Sequence, residues 1–442
     1  MNNSAAPIRN SVVAALGGFL FGFDTAVISG VEQSIQTLWS LDSFSHGFTV
    51  AAALIGTVLG SLMAGWPAER FGRKKVLLAI GIIYVITSLV TALTASWVPF
   101  VIFRFLGGIG VGASSVVGPM YISEISPAHS RGRLVALFQF NIVCGILIAF
   151  ISNYLLNGVS EESWRWMLGV QAVPSVIFFV LALFIPESPR WLMKQGLEAE
   201  AKVVLNGIGE KEPEMALQEI RTSLRHEAGE ENLFSGKYAK PIMYAVGLAV
   251  FNQFSGINAI MYYAPRIFAM TGLSQDSALL QAISIGVTNL VFTMLAILVI
   301  DRYGRRTLLI AGSVGMTFCL ALVAQAFYTG NFGGYFVMLC LVGFIAFFAF
   351  SQGAVIWVFL AEIFPNKVRA KGQTLGSSTH WVMAAAISWT FPVFASQSAM
   401  GGAYAFTFFA VMMFMQLFFA WKVLPETKGL SLEEIQKSLG IH

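Results

Sequence analysis

Glu69-Arg70-Phe71-Gly72-Arg73-Lys74 returns later in the chain as Asp301-Arg302-Tyr303-Gly304-Arg305-Arg306. Outward from that pair the repetition continues. Glu124-Ile125-Ser126-Pro127, ending at Arg131-Gly132, matches Glu362-Ile363-Phe364-Pro365, ending at Arg369-Ala370. Pro186-Glu187-Ser188-Pro189-Arg190 finds its counterpart in Pro425-Glu426-Thr427-Lys428. The offsets are about 232, 238 and 239 residues, so the chain reads as two related halves. Two membrane bundles related by an axis along the membrane normal suit a carrier whose central site opens first to one side and then to the other.

The segments between these motifs are apolar. Of 442 residues, 56% are hydrophobic and 11% charged, against about a quarter charged in a soluble protein. Twelve apolar stretches lie near 11–32, 47–67, 76–95, 99–120, 132–156, 165–186, 241–267, 278–300, 307–328, 333–360, 371–395 and 402–424. Each suffices to cross ~30 Å of hydrocarbon as a helix, and none has the alternation of a barrel strand. The expected fold is an all-α membrane protein of twelve spans in two pseudo-symmetric six-helix bundles. The first span reads as retained, not as a removed signal peptide. Cys144, Cys319 and Cys340 all fall inside apolar segments and read as small buried hydrophobes, not as a disulfide framework.

Lys and Arg collect in the loops after every second span: Arg70 to Lys75, Arg131 and Arg133, Arg190 to Lys240, Arg302 to Arg306, Lys367 to Lys371, and Lys422 with Lys428. The opposite loops hold almost none apart from Arg165 and Arg266. By the positive-inside rule both termini are expected to be cytoplasmic, and the expected location is the plasma (inner) membrane. The net charge of +4 belongs to those loops and not to a nucleic-acid surface. The expected division is an N-terminal bundle 1–186, a cytoplasmic linker 187–240 with helices near 198–208 and 212–228, a C-terminal bundle 241–424 and a tail 425–442.

Asp24 stands inside the first span, where an ionisable group marks a functional site by default. Arg104, inside the fourth, is its natural partner. At 1.5 Å per residue Asp24 lies ~12 Å and Arg104 ~8 Å below the outer surface, so the depths nearly match. One reading is a proton site: Arg104 favours the charged acid, whereas a dry, closed conformation favours the neutral one. The other is a permanent salt bridge that sets helix register.

A second group is uncharged. Gln139 lies in the fifth span, Asn252, Gln253 and Asn258 in the seventh, Asn289 in the eighth, Trp357 in the tenth, and His380 with Trp381 in the eleventh. Neutral amides suit a polyhydroxylated ligand, and indole faces pack against the C–H faces of a sugar ring. Any one amide is as well explained by an interhelical hydrogen bond. In the seventh span the amides surround Gly256, where a helix can break and line a cavity. On the basic side, Glu69, Arg73, Glu124 and Arg131, with their repeats Asp301, Arg305, Glu362 and Arg369, form a candidate cytoplasmic latch whose partners exchange between states. Ordinary topology-setting charge is the plain alternative. The first loop lacks the strand–loop–helix context of a phosphate cradle.

Over essentially its whole length the chain resembles the sugar porter branch of the major facilitator superfamily. The motifs carrying the likeness are Gly65…Glu69-Arg70-Phe71-Gly72-Arg73-Lys74, Pro186-Glu187-Ser188-Pro189-Arg190-Trp191-Leu192, Gln253-x-x-Gly256-Ile257-Asn258, Asp301-Arg302-x-Gly304-Arg305-Arg306 and Pro425-Glu426-Thr427-Lys428-Gly429. The resemblance implies rocking of two six-helix bundles around a central monosaccharide. It implies sugar ligands at Gln139, Gln253, Asn258, Asn289 and Trp357, and external gate residues at Tyr262 and Tyr263. Asp24 matches the acid of proton-coupled members; animal facilitators carry asparagine there. Departures occur at Asn252 and His380, which replace amides usual in the family, at Ala354, which replaces a tenth-helix proline, and at Ile297, which replaces a loop glycine. They leave the particular sugar open.

The sequence therefore reads as a proton–monosaccharide symporter, for a hexose or a pentose, with the proton as coupling ion, no cofactor, no metal and no enzymatic activity. Its partners are the sugar, the proton and the lipid bilayer, and it is expected to act as a monomer. A facilitative uniporter is the nearest rival. A non-transporting sugar sensor is disfavoured by the short tail, and a membrane transferase by the lack of an intramembrane nucleophile or metal cluster.

Overall fold

In hydrocarbon a chain must satisfy its backbone polar groups internally, and the apolar runs accordingly form helices. The computed structural model describes residues 6–127, 130–210, 212–226, 231–365, 367–398, 400–429 and 434, with no strand among them. The first six spans are α1 (Ala6–Leu38), α2 (Ser43–Met63), α4 (Arg73–Leu93), α5 (Trp97–Ile125), α6 (Arg131–Leu156) and the broken pair α7 (Ser163–Gly169) and α8 (Ala172–Leu183). A short α3 (Gly65–Phe71) fills the loop between the second and third spans. The linker carries α10 (Glu198–Gly207) and α11 (Pro213–His226), close to the expected positions, and before them a short α9 (Pro189–Lys194) that was not expected. The remaining spans are α12 (Ala239–Phe254) with α13 (Ile257–Ala269), α14 (Gln275–Tyr303), α15 (Arg305–Thr329), α16 (Phe336–Phe350) with α17 (Gln352–Glu362), α18 (Arg369–Ser396) and α19 (Gly401–Lys422).

Among the described residues ten of the twelve are long and apolar enough to cross a membrane on length and composition alone. The seventh falls short because it is broken at Gly256, and the eleventh because it opens with the polar run Arg369 to Thr379. Most of the tail call, residues 430–433 and 435–442, lies outside the described residues.

Contacts group the chain into two compact units. One comprises Met1–Val27, Ile55–Ala149 and Gly158–Glu230; the other comprises Ile28–Leu54, Phe150–Asn157 and Glu231–His442. In the first, Tyr84, Tyr121 and Phe178 anchor an apolar core that also takes in Leu192, Leu205 and Leu217 of the linker. In the second, Phe359, Phe364 and Tyr238 do the same. Close helix approach in the first unit requires small residues. A Cβ on Gly22 would lie 1.9 Å from the Ile142 carbonyl oxygen, and one on Gly145 2.1 Å from that of Phe19.

The sequence repeat is reproduced atom by atom. Gly72 (φ 95°) and Gly304 (φ 88°) both turn the chain between spans in a conformation that favours glycine. Arg73 follows the first and binds Glu124 through Nε and Nη2, both at 2.9 Å. Arg305 follows the second and binds Glu362 at 3.1 and 2.7 Å. Glu187 accepts from the backbone N–H of Arg73 at 2.9 Å, as Glu426 does from that of Arg305 at 2.9 Å. A carboxylate in each unit therefore caps the start of a span after a glycine turn.

Candidate functional site

Asp24 and Arg104 meet, as their depths predict. Arg104 Nη1 donates to Asp24 Oδ1 at 2.9 Å, with side-chain exposures of 3% and 9%. The bond is end-on. Arg104 Nε and Nη2 are buried without a hydrogen-bond partner among the described residues, so the guanidinium uses one prong of a fork that could grip a carboxylate with two.

The amides come together within the second unit. At the end of α12, Gln253 Nε2 donates to Asn252 Oδ1 at 3.0 Å, and Gln253 Oε1 accepts from Asn258 Nδ2 at 2.8 Å. The same Nε2 stands 3.2 and 3.3 Å from the two ring nitrogens of His380. An amide nitrogen has two hydrogens, so the second goes to a ring nitrogen that must be free to accept. His380 packs against Trp357 (ring centroids 5.0 Å apart) and edge-on to Trp381 (5.0 Å, 89°). Trp357 keeps 37% of its surface exposed, and Asn258 is half-buried, so this cluster presents an indole face and an amide edge. Gly256 (φ 82°) supplies the expected break between α12 and α13. Gln139 on α6 and Asn289 on α14 are half-buried and stand outside this hydrogen-bonded cluster.

Asn252 is turned inward. Its Nδ2 donates to the Gln352 carbonyl at 3.4 Å, at the junction of α16 and α17. That junction is a true break, with Ser351 at φ −120°, ψ −88°, even though Ala354 offers no proline ring to force it. Gln352 donates from Nε2 to Oε1 of Gln416 on α19, and both side chains are wholly buried. Sequence reasoning missed this pair, since 64 residues separate its members and no local pattern joins them.

Of the gate candidates, Tyr263 is fully buried, packs against Phe391 with the rings tilted (centroids 5.2 Å apart) and donates to the Ser388 carbonyl at 3.0 Å. Its backbone leaves helical geometry (φ −118°, ψ 17°), two residues before Pro265, whose missing N–H weakens the turn. Tyr262 is buried beside it.

On the basic-loop side Arg73 bridges Glu124 and Glu69, the latter at 2.8 Å, and Lys194 binds the other oxygen of Glu69 at 2.5 Å. Burial pushes the Glu69 carboxyl up, but Lys194 and Arg73 outweigh it and hold the group below its ordinary value. Glu187 goes the other way: burial pushes it up despite the N–H groups of Ser188, Lys74 and Arg73. Arg305 repeats the bridge with Glu362 and with Asp301 at 3.1 Å. Arg131 is exposed and joins no ion pair among the described residues. Arg369 donates to the Phe364 carbonyl at 3.3 Å. Six of the latch candidates thus meet as two arginine-centred bridges, Arg73 with Glu69 and Glu124, and Arg305 with Asp301 and Glu362.

A further polar cluster joins Glu32 of α1, His46 of α2 and Arg266 of α13, all in the second unit. The signal available in the sequence was an acid eight residues beyond Asp24 in the same apolar helix, and an arginine directly after a helix-interrupting proline.

With this geometry in hand, the relationships of the chain are plain. The model of the family described as "Sugar (and other) transporter" matches residues 10–439. The D-xylose-proton symporter of Escherichia coli (strain K12) is 38% identical over 473 residues, covering 98% of this chain and 96% of the relative. The arabinose-proton symporter of Bacillus subtilis (strain 168) is 37% identical, covering 97% and 94%. The solved structure of the E. coli xylose transporter XylE in a partially occluded inward-open conformation aligns with a TM-score of 0.87 at 37% identity, over 97% of this chain and all of the other. The twelve-span chain with its doubled loop motif is a multi-pass membrane protein of the major facilitator fold, and it belongs to the sugar transporter family.

Proposed function

We propose that this protein is a proton-coupled monosaccharide symporter working by alternating access across the plasma membrane, with both termini cytoplasmic. The observation that carries the proton is the end-on Asp24–Arg104 bond. A carboxylate held by one hydrogen bond from a guanidinium that has two buried nitrogens without a partner among the described residues is under-gripped for a static salt bridge. It is suited to exchange between a charged, paired state and a protonated one as water reaches it.

The sugar is assigned to the amide–indole cluster. Asn258 presents its amide to hydroxyls, Gln253 orients it and offers the remaining lone pair of its carbonyl, and Trp357 covers the ring face. Gln139 and Asn289 complete the ligand set, while Asn252, His380 and Trp381 shape and support it. Tyr262 and Tyr263 close the external side. The two arginine bridges fasten the cytoplasmic ends in one state and release them in the other. No group-transfer chemistry is assigned, and the chain acts as a transporter rather than an enzyme. The named relatives carry pentoses, which makes xylose and arabinose the first sugars to try.

The test is sugar-driven proton movement. Adding sugar to de-energised vesicles bearing the protein should alkalinise the medium, and Asp24→Asn should abolish the signal. If a sugar that demonstrably enters produces no pH change in the wild type, coupling is lost from the account and a uniporter remains.

A further inference from the structure

Glu32 lies in a membrane-spanning helix with its side chain entirely buried, yet it makes more polar contacts than Asp24. Arg266 grips it as a fork, with Nε 2.9 Å from Oε1 and Nη2 2.6 Å from Oε2. His46, also fully buried, reaches Oε2 from Nε2 at 2.8 Å. Arg266 Nη2 donates as well to Gln36 Oε1 at 2.5 Å, one turn further along α1. The cluster therefore ties three spans, α1, α2 and α13, at the ends away from the basic loops.

Two further observations surround it. Near the cluster, α2 meets the far end of α18, where Ser43 Oγ lies 2.6 Å from Ser396 Oγ and Trp389 Nε1 donates to the Phe44 carbonyl at 3.2 Å. On the other side, the His46 ring lies 6.1 Å from that of Tyr263, the kinked residue three positions before Arg266. A half-helix that pivots at Tyr263 carries Arg266 with it. The acid and the guanidinium neutralise each other while they are dry. Once parted both reach water, so each arrangement is self-consistent and intermediates are not.

We propose that Glu32, Gln36, His46 and Arg266 form an external latch, closed here, which must part before sugar can enter from outside. The proposal rests on the alternating-access reading above and adds gate residues to it. Asp24 senses the proton; Glu32 holds the door. The two carboxyls of α1 thereby divide the work of one helix, eight residues apart.

The test uses the full chain in right-side-out vesicles. A single cysteine replaces Ser388, beside the gate, in a background whose three native cysteines are serine. Its labelling by a membrane-impermeant maleimide is timed alongside tracer uptake. In the Glu32→Gln/Arg266→Gln double variant, which leaves no unpaired buried charge, labelling should run several-fold faster than in the parent. Arg266→Lys keeps the charge but loses the fork, and should fall between. Equal labelling rates in the parent and the double variant overturn the latch. Failure of the parent to move any sugar would instead remove the transport reading, and the labelling comparison would still decide whether these residues close the outer side.

Discussion

Replacing Gln253 by leucine keeps the volume of the side chain and deletes its amide. In the structure that amide serves three neighbours at once: Asn252 at 3.0 Å, Asn258 at 2.8 Å and the His380 ring at 3.2 Å. On the proposed assignment the sugar loses its contact with the Gln253 carbonyl, and Asn258 loses the partner that orients it. Two neutral hydrogen bonds near the upper end of ~0.5–1.5 kcal/mol each sum to about 2–3 kcal/mol. At 1.4 kcal/mol per tenfold, affinity should fall about 30- to 140-fold. The assay is equilibrium binding of radiolabelled xylose or arabinose to the purified protein in detergent, with thermal unfolding measured on the same samples. A variant that melts near the wild-type temperature and still binds within about threefold of wild type refutes the assignment of Gln253 to the sugar.

Gln352→Leu should destabilise the protein by ~1–3 kcal/mol, because it strands the wholly buried amide of Gln416; Gln352→Leu/Gln416→Leu, which removes both polar groups, should recover most of that loss in thermal unfolding. If the double variant is as unstable as the single, the amide pair is not the cause. Glu231 is held by Lys237, Lys367 and Tyr238 and its pKa is pushed down to about 2. Its folded value lies below the ordinary 4.5, so its contribution is present above that pH and disappears as pH falls towards 2. Amide exchange over residues 233–238, corrected for intrinsic rate, should therefore quicken across that window, whereas Glu231→Gln should be fast throughout; identical profiles contradict the assignment.

Much of this was legible in the chain because it is written in long or repeated signals. Membrane-length apolar runs leave no alternative to helices, and the doubled Gly-Arg loop motif anticipates two arginine bridges with the same atomic partners. Asp24 and Arg104 could be paired from depth alone, since helix rise is constant. The break at Gly256 was visible because amides and a glycine crowd one turn. The break at Ser351 was not, because no proline marks it and the contacts beside it are tertiary: Asn252 donates to the Gln352 carbonyl, and the Gln352 side chain donates to Gln416. Arg266 looked like a stray loop charge. Its partner Glu32 is 234 residues away, and only packing reveals that the two meet. The sequence likewise placed Gln139 and Asn289 among the amides; among the described residues the seventh-span amides bond with His380 on α18, against which Trp357 on α17 packs.

The central claim is that one proton on Asp24 drives sugar uphill. A charge moving through 100 mV carries ~2.3 kcal/mol, enough for ~50-fold accumulation per proton. Tracer sugar in energised vesicles should therefore rise far above the outside concentration with wild-type protein, collapse with an uncoupler, and stop at equality with Asp24→Asn. Uncoupler-resistant uptake that never exceeds the outside concentration, or full accumulation by Asp24→Asn, would contradict it.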